Sequence, residues 1–231
     1  MKASLLSGWL GDRILRDLVV EDTASLAPAF IRIVLAAPWV RERPPEPGDK
    51  VQVFLPGVGS RTFTPFAVDA SAGRFSLIAF LHDTTPASDW ARALQPGSTV
   101  RVLGPRSSTP VAPLAGPVAL FGDETSLGIA RALLDAHPRD SLVRLEVSPE
   151  RGTAEACAAL SLSCASLTAR RAGEFHLDEI ASALAAPTIA TVLLTGSARS
   201  IQGLRARLRA TGARQRQVTR AYWAEGKSGL D

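Results

Sequence analysis

Residues 117–137 read PVALFGDETSLGIARALLDAH. PVALFG is a short apolar run of the kind that forms a buried strand. Gly122 and the polar Asp123-Glu124-Thr125 break it, and Leu127, Ala130, Leu133 and Leu134 then recur at helical spacing. The pattern repeats downstream. LVRLEVS (142–148) and TIATVLLTGS (188–197) read as strands, ARSIQGLRARLRAT (198–211) as a helix, and RQVTRAYW (216–223) as a last strand. Strand–helix alternation of this kind predicts a parallel sheet with helices packed on it. Ligands of such sheets bind beyond the carboxyl ends of the strands, here Gly122-Asp123-Glu124, Glu146-Val147-Ser148 and Thr195-Gly196-Ser197.

Upstream the character differs. LRDLVVED, FIRIVLAA, DKVQVFLP, RTFTPFAV, RFSLIAFL and STVRVLG are short runs rich in Val, Ile, Phe and Thr, separated by turn-formers such as PPEPGD, PGVGS, DASAG and QPG. Six evenly spaced strands predict a small antiparallel barrel. One helix interrupts them, ASDWARAL at Ala87–Leu94, with Ser88 as the expected cap and Pro96-Gly97 as the stop. Proline and small residues accumulate at Ser107–Pro117. The expected organisation is therefore a β-barrel over 1–110 followed by an α/β nucleotide-binding domain over 117–231.

Composition narrows the functional class. The chain has 231 residues, 46% of them hydrophobic, which suits a globular protein. No apolar run approaches the roughly 18 residues needed to cross a bilayer, and the N-terminal apolar stretch is broken by Ser7, Gly8, Gly11 and Asp12, unlike a secretory signal. A cytoplasmic monomer without membrane insertion is expected. Cys157 and Cys164 lack a metal-site spacing and are expected as reduced thiols; His82, His137 and His176 form no ligand pattern. Net charge is +4, and seven arginines lie between Arg199 and Arg220 without an acidic residue. Such a stretch suits nucleic acid, an anionic cofactor, an acidic partner or simply a solvated helix face; as a helix of the nucleotide-binding domain it needs no nucleic-acid partner.

Three segments carry chemistry. Arg61-Thr62-Phe63-Thr64-Pro65-Phe66 follows a Gly-rich turn and contains a cation, an aromatic plane and hydroxyl donors, the groups a flavin dinucleotide requires. Alternation would place Arg61 and Phe63 on one face, Thr62 and Thr64 on the other. In the second, a strand runs through His82 into a helix starting near Ser88, and a helix start suits a phosphate. The third, Gly122 to Arg131, is a strand–turn–helix without the GxGxxG dinucleotide fingerprint.

In this order the three segments resemble the siderophore-interacting proteins, FAD-dependent ferric-siderophore reductases of the ferredoxin-reductase-like superfamily. The matching residues are Arg61-Thr62-Phe63-Thr64 for the flavin motif, His82 with Pro86-Ala87-Ser88-Asp89-Trp90-Ala91, the Pro96-Gly97 and Gly104-Pro105 pairs, Gly122 to Leu127, and the tail Tyr222-Trp223-Ala224-Glu225-Gly226-Lys227. The resemblance implies an enzyme that passes electrons from NAD(P)H through FAD to Fe(III) in a siderophore or other ferric chelate. Fe(II) matches hard oxygen ligands less well, so reduction loosens the iron. It further implies Arg61 at the FAD pyrophosphate, Phe63 stacked on the flavin, Thr62 beside it and Thr64 at the ring as the catalytic contact. His82, Pro86 and Trp90 would line the cofactor, with Ala87 and Ser88 at its phosphate or adenosine end. Asp123, Glu124 and Thr125 would lie near the nicotinamide, Arg151 would bind a 2′-phosphate and so favour NADPH, and Trp223 would cover a cofactor. Lys227, Arg220 and Lys50 would meet the anionic iron complex. Three departures stand out: Phe63 replaces the motif's tyrosine, and Asp83 and Thr85 replace glycines. An inward-facing Asp83 would oppose a pyrophosphate. Two other readings remain: a flavin reductase or electron-transfer protein with a non-iron acceptor, and a binding protein of this fold without turnover.

Overall fold

The computed structural model describes residues 15–57 and 59–226. Seven strands, β1 (Leu15–Ala27), β2 (Phe30–Ala36), β3 (Lys50–Leu55), β4 (Gly59–Phe63), β5 (Phe66–Asp69), β6 (Arg74–Phe80) and β7 (Thr99–Arg106), form one sheet in the order β4-β3-β7-β1-β2-β6-β5. Every pairing is antiparallel. β4 and β5 are the two edges of this sheet, yet only Thr64 and Pro65 separate them in the chain. Three Cα–Cα steps reach at most about 11 Å, so the sheet has to curl until its edges meet. The curl encloses Leu18, Val20, Ile33, Leu35, Val51, Val53, Phe75, Leu77, Val100 and Val102 in a single apolar cluster. β3 shows why the sequence complies: Val51, Val53 and Leu55 are buried, while Gln52 and Phe54 face outward. Helix α1 (Pro86–Ala93) packs Trp90 and Ala91 against the same cluster.

The segment RTFTPFAV differs from expectation. It is two strands rather than one, because Thr64-Pro65 leaves the ladder between them; proline has no N–H to donate to a neighbouring strand. The cap of α1 also differs. Thr85 is the N-cap and its Oγ1 accepts from the Ser88 N–H, placing Ser88 inside the first turn.

The second half contains β8 (Val118–Gly122), β9 (Ser141–Val147), β10 (Ala165–Ala169), β11 (Thr191–Ser197) and β12 (Arg216–Trp223), all parallel, in the order β10-β9-β8-β11-β12. Helices α2 (Leu127–Ala136) and α3 (Thr153–Ala159) pack on one face, α4 (His176–Leu184) and α5 (Ala198–Ala210) on the other. β8 is buried at every position because Val118 and Leu120 join the first layer while Ala119 and Phe121 join the second. Strand order reverses between β8 and β11, which opens a crevice outside their carboxyl ends. β10 was not legible: it reads ASLTA, short and poor in large apolar residues, and it is a sheet edge. Helices α3 and α4 were likewise not predicted. None of the helices among the described residues is long and apolar enough to cross a membrane.

The halves share a core. Ala27, Ala29, Phe30, Phe66 and Ile78 of the barrel pack into the same cluster as Leu120, Leu127, Ile129 and Leu145. Gly128, at the start of α2, lies against the Thr64 carbonyl; a Cβ there would sit 3.1 Å from that oxygen. The Arg61–Thr64 segment therefore rests directly on the α/β half.

Candidate functional site

A cavity of about 300 Å³ opens where the two halves meet, at the lower end of the range for small-molecule sites. Ser60, Arg61, Thr62, Phe63 and Thr64 all line it, so the segment does not divide its residues between two faces as strict alternation would. The strand ends at Phe63, and the chain turns there. Lys50, Phe80, His82, Ala87, Ser88 and Trp90 complete the barrel side; Thr125, Gly128, Arg220, Tyr222 and Trp223 supply the other. Among the described residues the lining holds the cations of Lys50, Arg61 and Arg220 and no carboxylate. Such a lining attracts an anion, and its aromatic walls accept a planar ring.

Each wall has a local cause. β12 carries a bulge: Gly196 pairs with Ala221 and Ser197 with Trp223, which leaves Tyr222 as the extra residue. Bulges re-aim side chains, and here the consecutive Tyr222 and Trp223 both reach the cavity. Burial pushes the Tyr222 phenol up to about 12. The His82 ring meets Phe80 edge-on at 4.4 Å between centroids. Desolvation holds its pKa below the ordinary histidine value, with the charge of Arg151 acting in the same direction. At the start of α1, Pro86 has no N–H, the Ser88 N–H goes to Thr85 Oγ1 and the Ser88 hydroxyl to the His82 carbonyl, so the Ala87 N–H is the donor left for a ligand. Arg61 is exposed and donates to the Ser60 carbonyl at 2.8 Å. Lys50 lies deep, 9% exposed, and Arg220 is half-buried on β12.

The turn after β8 is built differently from expectation. Asp123 is buried, and its carboxylate accepts from the Thr125 N–H and hydroxyl, from the Ser197 N–H at 2.9 Å and from Trp223 Nε1 at 2.7 Å. This ties β8, β11 and β12 together. Gly196 (φ +90°) permits the approach: a Cβ there would lie 2.5 Å from Asp123 Oδ2. Glu124 is also buried, accepting from the Ser148 N–H and from both terminal nitrogens of Arg170. Arg170 reaches towards Glu146, whose Oε2 lies 2.8 Å from His176 Nε2. The Arg171 N–H donates to His176 Nδ1, so the proton of a neutral imidazole resides on Nε2 and faces Glu146. Asp123 and Glu124 thus turn into the protein, and of the three residues assigned near a nicotinamide only Thr125 lines the cavity.

Arg151 and Asp83 meet across the halves at 2.8 Å. Asp83 is exposed and directed at this arginine, whose hydrogen bond and charge hold its carboxyl below the usual range. The acid that departs from the motif therefore faces away from the cavity, and the arginine assigned to a 2′-phosphate already has a partner. Lys227 lies outside the described residues. Cys157 is buried and Cys164 exposed, both as free thiols. Of the arginine run, Arg199 pairs with Glu174 and Arg207 with Asp178, while Arg205, Arg209, Arg214 and Arg216 are exposed. Sequence reading assigned no role to Gly128, Arg170 or Tyr222. The available signals were that Tyr222 opens the family-like tail and is the sole tyrosine of the chain.

Comparison with known proteins follows the same lines. Residues 57–109 match the family model described as a siderophore-interacting FAD-binding domain. The mycobactin import ATP-binding/permease protein IrtA of Mycobacterium tuberculosis is 31% identical over 133 residues, covering 52% of this chain; the match spans only 15% of that relative's length. The siderophore-interacting protein SipS from Aeromonas hydrophila has the same fold, with a TM-score of 0.72, 22% identity and 94% of each chain covered. A siderophore utilization protein from T. fusca gives a TM-score of 0.72 at 23% identity, covering 94% of this chain and 95% of that one. The chain thus carries the sequence pattern of a siderophore-interacting FAD-binding domain across its flavin motif, and over nearly its whole length it has the two-domain, ferredoxin-reductase-like fold of the siderophore-interacting proteins.

Proposed function

We propose that this protein is a flavin-dependent reductase that passes electrons from NAD(P)H through FAD to the iron of a ferric siderophore or similar ferric chelate. One observation carries the reading: the matched FAD-binding segment forms a wall of a cavity between the two halves that, among the described residues, is lined by three cations, aromatic rings and no carboxylate. That donor set fits a cofactor with two phosphates and a planar ring. Arg61 would hold the pyrophosphate, with the Ala87 N–H at the helix start as a second donor. Phe63 and Trp90 would bound the ring, and Thr64 would hydrogen-bond it. FAD, when bound, supplies the conversion of a two-electron donor into single-electron delivery. The chain's own residues exclude water, orient the ring and hold the two halves together around it. Lys50, deep in the cavity, suits an anion inside it. Arg220, half-buried, suits an anionic iron complex, and Lys227 follows the same strand in sequence.

The nicotinamide side is the crevice beyond β8 and β11. A 2′-phosphate there would have to draw Arg151 from Asp83. The pair is exposed on the acid's side, and exposed pairs are held weakly, so NADPH can compete for the arginine. The test is anaerobic. Protein loaded with FAD is mixed with NADH or NADPH, then with a ferric chelate and a chromogenic trap for Fe(II). Bleaching followed by colour recovery and trapped Fe(II) is the expected result. Recovery with quinones but not with ferric chelates would move the assignment to a non-iron acceptor. Bound FAD that neither nucleotide bleaches would remove NAD(P)H as the donor.

A further inference from the structure

The turn after β8 holds Asp123 behind two cavity-lining residues, Thr125 and Trp223. Each points its donor at the carboxylate rather than at the cavity: the Thr125 hydroxyl donates to Oδ1 and Trp223 Nε1 to Oδ2. A carboxylate can only accept, and a threonine hydroxyl has one proton and two lone pairs. With its proton committed to Asp123, Thr125 keeps only lone pairs for a ligand, and the negative charge behind it strengthens them as acceptors. Among the described residues that oxygen accepts from nothing, and the side chain is only partly buried. The barrel wall is built the other way, from the cations of Lys50 and Arg61 and the Ala87 N–H. Thr125 also stands beside the flavin segment, since Gly128, one helical turn on, packs against the Thr64 carbonyl and lines the same cavity.

We propose that Thr125 is the acceptor for the carboxamide N–H of a nicotinamide ring, and that Asp123 is the positioning residue that makes the Thr125 hydroxyl accept rather than donate. The inference rests on the flavin reading above. A nicotinamide that reduces a flavin held at Thr64 has to bring its ring against the flavin, and Thr125 is the residue of the Asp123-Glu124-Thr125 turn that lines the shared cavity. The carboxamide is the only N–H donor on that ring, and it is bonded next to the carbon that gives up hydride. Holding it fixes how the ring is turned, which is the positioning a hydride donor needs. The orientation of the ring then follows from a carboxylate that itself touches no ligand.

The probe is the nucleotide itself. In the acetylpyridine analogue of NAD(P)⁺ a methyl ketone replaces the carboxamide, so the carbonyl stays and the N–H is lost; the thionicotinamide analogue keeps the N–H. FAD-loaded protein is titrated by calorimetry with oxidised NAD(P)⁺ and with each analogue, all of which bind without turnover. The parent should prefer the amide to the ketone by about three- to tenfold more than T125V does, the range that one neutral hydrogen bond commands. T125S, which keeps the hydroxyl, should retain the parent's preference, and the thionicotinamide analogue should follow NAD(P)⁺ in every case. FAD affinity in T125V should stay within about twofold of the parent. A hydroxyl free to donate would serve the ketone as well as the amide, so an equal preference in parent and T125V would overturn the inference while leaving the flavin reading intact. T125V weakening FAD but not the nucleotide would overturn it too, by giving the acceptor to the flavin. A parent that takes up FAD and binds neither NAD⁺ nor NADP⁺ would overturn NAD(P)H as the donor as well, and failure to take up FAD would overturn the flavin reading itself.

Discussion

Replacing Asp123 by asparagine changes one atom and should cost the protein much of its stability. In the parent each carboxylate oxygen faces two donors: the Thr125 N–H and hydroxyl at Oδ1, the Ser197 N–H and Trp223 Nε1 at Oδ2. An amide has one acceptor oxygen and one NH₂ group. With NH₂ in the Oδ2 place it meets two N–H donors; in the Oδ1 place it meets the Thr125 N–H while the Thr125 hydroxyl turns to accept. The better flip therefore loses one hydrogen bond to a charged group, worth about 1.5–3 kcal/mol, gains one repulsive contact and takes the charge from the remaining bonds, at about 1 kcal/mol each, so D123N should lose about 3–6 kcal/mol against a total of about 5–15 kcal/mol for typical domains. At a slope of about 3 kcal/mol per molar urea, the unfolding midpoint should fall by about 1–2 M. The companion variant W223F removes one donor and leaves the carboxylate three, so it should lose about 1.5–3 kcal/mol, the lower end applying because the half-exposed site readmits water. The Trp223 indole N–H resonance should lose its protection in D123N if the amide turns toward Oδ2. A midpoint within about 0.3 M of the parent, or a larger loss in W223F than in D123N, would refute the view that Asp123 is the clasp joining β8, β11 and β12.

Three other perturbations probe the cavity and the junction. Arg61→Ala should weaken FAD binding by about tenfold to a hundredfold, the worth of a charged hydrogen bond, and should flatten its salt dependence; fluorescence titration at two ionic strengths measures both. Gly128→Ala should separate stability from binding. Helix propensity gains about 0.5–1 kcal/mol, while the added methyl, 3.1 Å from the Thr64 carbonyl, displaces the flavin segment; FAD affinity falling about tenfold with an unchanged melting temperature is the expected pair of results. Asp83→Asn should lower stability at neutral pH and leave it unchanged in acid. Arg151 depresses the folded-state pKa of Asp83, so the pair's contribution is present above the unfolded carboxylate pKa and is lost as pH falls through the lower folded one. Urea midpoints of parent and variant should therefore converge in acid below the ordinary carboxylate range; a constant gap would contradict the assignment.

How far the sequence could be read depended on whether its signals were local. The strand–turn–helix of residues 117–137 was legible because burial on both faces demands an unbroken apolar run, and Val118–Gly122 is buried throughout. The alternation in Lys50–Leu55 was legible for the complementary reason, one face in and one out. β10 was not, since an edge strand needs few large apolar residues. The break at Thr64-Pro65 was missed because apolar and β-branched residues continue on both sides of it. The cavity-lining residues Arg61 to Thr64, Trp90 and the Tyr222-Trp223 pair announced themselves as motifs, but the place of Gly128 did not, as Thr64, against which it packs, is distant in sequence.

Periodicity and motif spacing are written in consecutive residues, and from them come the two sheets, their order along the chain and the segment suited to a flavin. What the acids and the aromatics touch follows instead from how the two halves pack. Asp123 and Glu124 follow a strand end that predicts ligand contact, yet burial obliges a carboxylate to find donors, and Trp223, Ser197 and Arg170 supply them. Asp83 stands where it could repel a phosphate, yet Arg151, brought alongside from the other half, turns it outward. Pairings of this kind depend on which groups the two sheets carry to one place, and that information exists only once both have folded and packed together.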